Sequence, residues 1–175
     1  NYDGTAFLGG LGVTYSGFIN GETSANLTGT LAYTGSSQGA SNAGTNEITP
    51  SGLSSLNYII TNKSGTLTIN KADAIVVANS DTYTYNGLAR TASGFAAFGL
   101  VNGQTVSVLS GVSVSGGGTN AGTYTVTPSG TSTNYNLSFV TGTMTIDKAP
   151  ATVTATSATL TYDGQAHAPS GFTAT

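Results

Sequence analysis

His167 is the chain's one histidine, and any imidazole chemistry has to pass through it. A Ser-His-Asp relay would need it as the base, but it sits just beyond a Tyr162-Asp163-Gly164 turn in a polar stretch, where a solvated role is expected. There is no cysteine, which excludes a thiol nucleophile and a Cys-based zinc site. Serines are abundant, yet no Gly-x-Ser-x-Gly elbow occurs. The acids Asp3, Glu22, Glu47, Asp73, Asp81, Asp147 and Asp163 stand singly, so no paired-carboxylate acid-base set is visible. The residues give no catalytic, cofactor or metal site, and the expectation is a protein that is not an enzyme.

Weaker chemistries can be weighed by recurrence. Asp73, Asp81 and Asp147 could supply calcium ligands at a junction, but the positions of Asp73 and Asp81 become Pro150 and Ala158 in the next copy of the same stretch. A repeating ion site would keep its ligands. Lys71 and Lys148 could enter Lys–Asn isopeptide crosslinks, although both lie at hinges where a solvated charge suffices. Asn26, Asn62 and Asn136 each open an Asn-x-Ser/Thr triplet, as chance allows in so Asn-, Ser- and Thr-rich a chain. Tyr2, Tyr85 and Tyr162 could stack on sugars. Their recurrence beside one turn favours packing instead.

The elements that place these residues form a tandem repeat. Gly65 to Gly87, GTLTINKADAIVVANSDTYTYNG, returns 77 residues later at Gly142 to Gly164, GTMTIDKAPATVTATSATLTYDG, with 14 of 23 positions identical. Each copy joins a closing strand, a short hinge, an opening strand and a Tyr-Asn/Asp-Gly turn. The stretch is therefore a junction between units, and the ranges it sets are 1–71, a first unit without its opening strand, 72–148, a complete unit, and 149–175, the start of a third. The missing strand implies further chain upstream. Residues 2–70 alone should then be less stable than residues 72–148.

Composition bounds the class. With 38% hydrophobic residues and period-two patterning in both copies, the chain can build a core despite its 25 glycines. Units this small bury only about 60% of their unfolded surface. Charged residues make up 6% and the net charge is −3, so no basic face exists for nucleic acid or an anionic membrane. No apolar run is long enough for a membrane-spanning helix, none reads as a signal peptide, and any targeting segment is expected elsewhere in a longer parent.

Along the chain, Phe18-Ile-Asn-Gly-Glu-Thr23 matches Leu100-Val-Asn-Gly-Gln-Thr105, where a short helical turn is allowed. Residues 26–33 and 106–114 read as strands. Residues 46–50 and 124–128 follow, ended by Pro50 and Pro128. Asn57 to Ile60 and Asn134 to Phe139 read as strands that turn, hairpin-like, into the closing strand. Asn46 replaces Tyr124 in the first copy. At the junction, alternation directs Val76 and Val153 to the core and leaves Ile75 and Val77 half-exposed. A third copy restarts at Ser170-Gly171-Phe172. The fold expected is all-β, a series of small domains, Ig-like sandwiches or β-grasp-like units, in an elongated array.

The ordered set Tyr-Asp-Gly, Gly-Leu-Val-Asn-Gly-Gln-Thr, Asn-Ala-Gly-Thr-Tyr-Thr-Val-Thr-Pro-Ser-Gly, Asn-Tyr-Asn-Leu and Gly-Thr-Met-Thr-Ile-Asp-Lys-Ala resembles the YDG/MBG-type repeat modules of large bacterial surface adhesins, many of them filamentous-haemagglutinin-like. The resemblance spans essentially the whole chain. It implies an extracellular stalk or fibre segment whose partners are adjacent repeats and neighbouring identical chains, with glycan or host-surface binding outside this stretch. A glycan-binding β module and a spacer of a secreted enzyme are the competing readings. The family carries no catalytic residues over.

Overall fold

The structure, a computed structural model, describes residues 1–168 and 171–174; Ser170, which opens the third copy's motif, lies outside them. Among the described residues there are fourteen strands: β1 Thr28–Thr34, β2 Gly44–Ser54, β3 Gly65–Ile69, β4 Ala72–Ala78, β5 Asp81–Thr84, β6 Arg90–Thr91, β7 Phe95–Phe98, β8 Val112–Ser115, β9 Gly117–Gly118, β10 Gly122–Gly130, β11 Tyr135–Val140, β12 Gly142–Asp147, β13 Val153–Ala155 and β14 Phe172–Ala174. Two short 3-10 turns, Ser24–Asn26 and Val106–Leu109, are the sole helical elements among the described residues. The chain is all-β and tandem, as its patterning requires.

The second unit is a two-layer sandwich. One sheet has the order β5-β12-β10-β8 and the other β11-β4-β7. Two pairs, β4 with β11 and β5 with β12, are parallel; the others are antiparallel. Alternation along β4 sends Ala74, Val76 and Ala78 into the core, while Ile75 stays 47% exposed on the outer face. From the facing sheet come Val126, Met144 and Ile146, all buried. Fully burying an aliphatic side chain such as Val76 or Met144 contributes about 1.5–3 kcal/mol. The interface between the two sheets therefore stabilises this cysteine-free unit.

Three local expectations are corrected. Pro50 and Pro128 do not end their strands: β2 runs on to Ser54 and β10 to Gly130, because at the prolines each strand has already left β3 or β12 and pairs on one side only, with β1 or β8. Residues 106–109 form a 3-10 turn rather than a strand, because Leu109 must turn inward to cap the core, where it is 1% exposed. The helical turns thus follow the Asn-Gly motifs instead of coinciding with them. Nor is the β11–β12 connection a hairpin: the two strands belong to different sheets, and the chain crosses between layers at Gly142. A Cβ there would lie 2.4 Å from the Asn79 carbonyl oxygen, so a side chain would block the crossing.

The first unit has one sheet, β1-β2-β3, which corresponds to β8-β10-β12. Its β2–β3 register reproduces β10–β12 residue for residue: Gly44 faces Ile69 as Gly122 faces Ile146, and Ile48 faces Gly65 as Val126 faces Gly142. β1 carries a bulge, with Thr30 and Leu31 opposite Gly52, that shifts it one residue relative to β8. Among the described residues the first unit has no counterpart of β4. Residues 13–16 and 58–63, the counterparts of β7 and β11, accordingly form no strand. The inner face of the sheet opens on a cleft of about 900 Å³ lined by Val13, Tyr15, Leu31, Ile48, Tyr58 and Ile60, among others. Val153, expected in the core, is 66% exposed, since among the described residues no second sheet covers β13.

Candidate functional site: a tyrosine socket between units

The Tyr-Asx-Gly turn recurs with one geometry. Asp3 Oδ1 accepts from the Thr5 N–H at 2.9 Å, Asn86 Oδ1 from the Leu88 N–H at 3.1 Å, and Asp163 Oδ1 from the Gln165 N–H at 2.9 Å. Each is an Asx turn, followed by a glycine at φ +78°, +78° and +76°. Thr5, through its hydroxyl and then its amide, holds the Asp3 carboxyl below its ordinary range, and the Gln165 amide does the same for Asp163. The tyrosine before the turn is tied to the end of its own unit's closing strand: the Tyr2 N–H donates to the Asn70 carbonyl at 2.7 Å, as Tyr85 does to Asp147 at 2.8 Å.

From that anchor the Tyr2 ring crosses into the second unit. It is 7% exposed and packs with Ala74, Val76, Leu109 and Tyr135. Its ring meets Tyr135 edge to face, with centroids 5.3 Å apart at 81°, a favoured aromatic arrangement. The Gln104 amide joins the two phenols. Its Nε2 donates to Tyr2 Oη at 2.7 Å, and its Oε1 accepts from Tyr135 Oη at 2.5 Å. The Val101 N–H donates to Tyr135 Oη at 3.1 Å.

The Asn-Gly turn positions Gln104. Asn102 and Gly103 have positive φ, +52° and +66°, and the Gln104 N–H closes the turn on the Val101 carbonyl at 3.0 Å. Gly4 rests on this turn: a Cβ there would lie 3.0 Å from Gln104 Nε2 and 3.3 Å from Asn102 Cβ. Two polar side chains complete the joint. Asn134 Oδ1 accepts from the Ala43 N–H at 2.9 Å, while its Nδ2 donates to Asn42 Oδ1 at 3.0 Å. Lys71 Nζ donates to the Ser132 carbonyl at 2.7 Å.

The first unit repeats the socket with its own residues. Tyr58 donates to the Glu22 carboxylate, and the Ile19 N–H reaches Tyr58 Oη at 3.4 Å, at the end of an Asn20-Gly21 turn of the same form. The hydrogen bond to Glu22 holds the Tyr58 phenol above its ordinary range. Here Phe18, which stands where the second unit has Leu100, supplies the edge contact to Tyr58 at 5.2 Å and 88°. Tyr85 is 41% exposed and Tyr162 94%, so of the three recurring tyrosines only Tyr2 is buried.

The other singled-out residues do not converge. His167 Nε2 lies 2.8 Å from Asp163 Oδ1, both exposed, within the third turn. Asp73 accepts from Asn136 Nδ2 at 3.0 Å. Asn26 Oδ1 accepts from the Thr23 N–H at 3.0 Å, capping the 3-10 turn. Among the described residues, no group of three His, Asp or Glu side chains could hold a metal ion. The tyrosine cross-over, with Gln104 and Asn134 as its partners, is not evident from local patterning. The signals that mark it are the Tyr58/Tyr135 pair at an offset of 77 and the Glu22/Gln104 pair at an offset of 82.

A sandwich unit whose neighbour inserts a turn tyrosine into its core defines a tandem β-repeat protein. The family model of the MBG domain (YGX type) matches residues 3–68 and 74–145, most of the chain, and the protein belongs to that family. No curated protein and no solved structure gave a match.

Proposed function

We propose that the chain is a structural segment, stalk or fibre, of a large secreted bacterial surface protein of the adhesin type, adding length and spacing. It acts mechanically, without catalysis or a cofactor, and its partners are adjacent repeats and identical chains. The observation that carries this reading is the Tyr2 socket. A tyrosine fixed to one unit's closing strand and buried in the next unit's core restrains the angle between them. Asn134 and Lys71 add restraints on the other side of the hinge. An array of such joints is elongated and resists bending, as a stalk must. Low charge and MBG membership support an extracellular, cell-surface setting.

Antibodies against residues 72–147, applied to intact source cells before and after protease shaving, test the reading. Surface labelling that shaving removes is expected. Recovery of the protein wholly inside the cells would overturn it.

A further inference from the structure

We propose that the second unit bears tension along the chain, through one parallel ladder that joins the segment by which the chain enters the unit to the segment by which it leaves. The inference deepens the stalk reading and rests on it for its purpose. Structurally it rests on the complete unit alone, whose entry at Ala72 and exit at Asp147 both lie well inside the chain.

Entry and exit are paired strand for strand. The chain enters along β4 and continues, after Asn79 and Ser80, into β5. It leaves along β11 and, after Thr141, β12. β4 is parallel to β11, and β5 is parallel to β12. In both pairs a residue faces the one 63 positions further on (135 − 72 = 147 − 84 = 63). The register is therefore unbroken, although both segments change sheets between the two pairs. Side-chain bonds keep the same spacing. Asn136 Nδ2 donates to Asp73 Oδ1 at 3.0 Å, and the Thr143 N–H donates to Ser80 Oγ at 3.0 Å where the segments cross between sheets. Backbone bonds close both ends. The Ala72 N–H donates to the Asn134 carbonyl at 3.0 Å, and the Tyr85 N–H to the Asp147 carbonyl at 2.8 Å. The bond from Tyr2 to Asn70 is the first unit's copy of that last rung.

The direction of the ladder decides how it breaks. Tension pulls Ala72 backward along β4 and Asp147 forward along β12. Because the two segments run parallel, these residues lie at opposite ends of the ladder, and the load slides one segment along the other. All the rungs then resist together. Antiparallel segments would put entry and exit at one end, where the rungs would open one after another. Both loaded strands are also interior. β4 lies between β11 and β7, and β12 lies between β5 and β10, so neither can slide without breaking pairs on both sides. Their inward residues, Val76 on β4 and Met144 and Ile146 on β12, are buried in the core. Forced unfolding is governed by the unfolding rate, and hence by the direction in which these contacts must yield.

Single-molecule pulling of the full chain tests the proposal. The chain has no cysteine, so handles can be attached at introduced cysteines alone. Asn70→Cys with Ala149→Cys loads the ladder lengthwise, and Asn70→Cys with Thr133→Cys loads its entry end crosswise. All three positions are exposed, so both variants keep the fold. The first unit hangs outside the load path in each. Surface labelling reports where the protein works and pulling reports how the unit yields, so either can fail without the other. The lengthwise pair is expected to unfold the second unit in a single step, and the crosswise pair to open at a force several-fold lower. Equal forces in the two directions overturn the proposal. So does stepwise opening of the lengthwise pair, which would mean that the rungs part in sequence.

Discussion

The hydroxyl of Tyr2 accepts a hydrogen bond from the Gln104 side chain 102 residues away, at 2.7 Å, inside a unit to which Tyr2 does not belong by repeat. The same amide holds Tyr135 through its oxygen. One glutamine thus reads whether the neighbouring unit is seated. Folding of the second unit and its attachment to the first are therefore parts of one packing event.

Truncating Tyr2 should cost the second unit much of that core. Tyr2→Ala is expected to lower its stability by about 3 kcal/mol, the low end for removing a buried aromatic, since a joint can partly close over the gap. Tyr2→Phe, which leaves the Gln104 donor without its acceptor, should cost about 1 kcal/mol. Tyr85→Ala, at an exposed equivalent, should stay within about 0.5 kcal/mol. Denaturant melts of the full chain measure all three. Equal effects at Tyr2 and Tyr85 would mean that the tyrosine acts within its own unit.

The first unit should become pH-sensitive at the alkaline end. Tyr58, hydrogen-bonded to Glu22, has a folded-state pKa raised above the ordinary 10.0. The stabilisation it gives is complete below about pH 10 and is lost as pH rises through the raised value. Ultraviolet titration should show one tyrosine ionising above the ordinary tyrosine range, and Glu22→Gln should lower it. Unchanged titration in that variant would remove Glu22 as the cause.

Period-two alternation and the glycine and asparagine punctuation place β3 and β12 where they read and locate β2 and β10, although these two run on past the prolines expected to end them. Val76 and Ile75 take the faces that their alternation assigns. Val153 has the same pattern and remains exposed, because burial depends on a partner sheet that alternation cannot supply. Residues 58–63 fail as a strand for the same reason, although residues 135–140 succeed. The socket was half visible: the turn tyrosines recur, which argued for packing. That Tyr2 packs into the following unit depends on the inter-unit angle, a property of the hinge and of Asn134 rather than of any local run.

Asn134 should act at the joint and not in the core. Asn134→Ala deprives the Ala43 N–H of its acceptor and Asn42 of its donor. A lost net hydrogen bond costs about 1 kcal/mol, about a fivefold change in an equilibrium. Hydrogen exchange at the Ala43 amide should speed up by about that factor, with amides of β10 and β12 unchanged. Asn57→Ala, at the equivalent position of the first unit, should leave Ala43 as it is. Faster exchange throughout the second unit would place Asn134 in its folding instead.

The two units should differ sharply when separated. Residues 2–70 hold one sheet whose large apolar side chains, apart from Leu67, are not buried, with Leu56 and Ile59 fully exposed. Residues 72–148 hold both sheets and a two-sided core, but they lack Tyr2. The first fragment is expected to show no cooperative thermal transition, because a single three-stranded sheet with an open face buries too little to offset chain entropy. The second should unfold cooperatively, yet below the same unit within residues 1–148, by an amount close to the Tyr2→Ala cost. Calorimetry of the three fragments separates the contributions. Equal melting of residues 2–70 and 72–148 would refute the unit boundaries. Equal melting of 72–148 and 1–148 would show that the socket adds contact without stability.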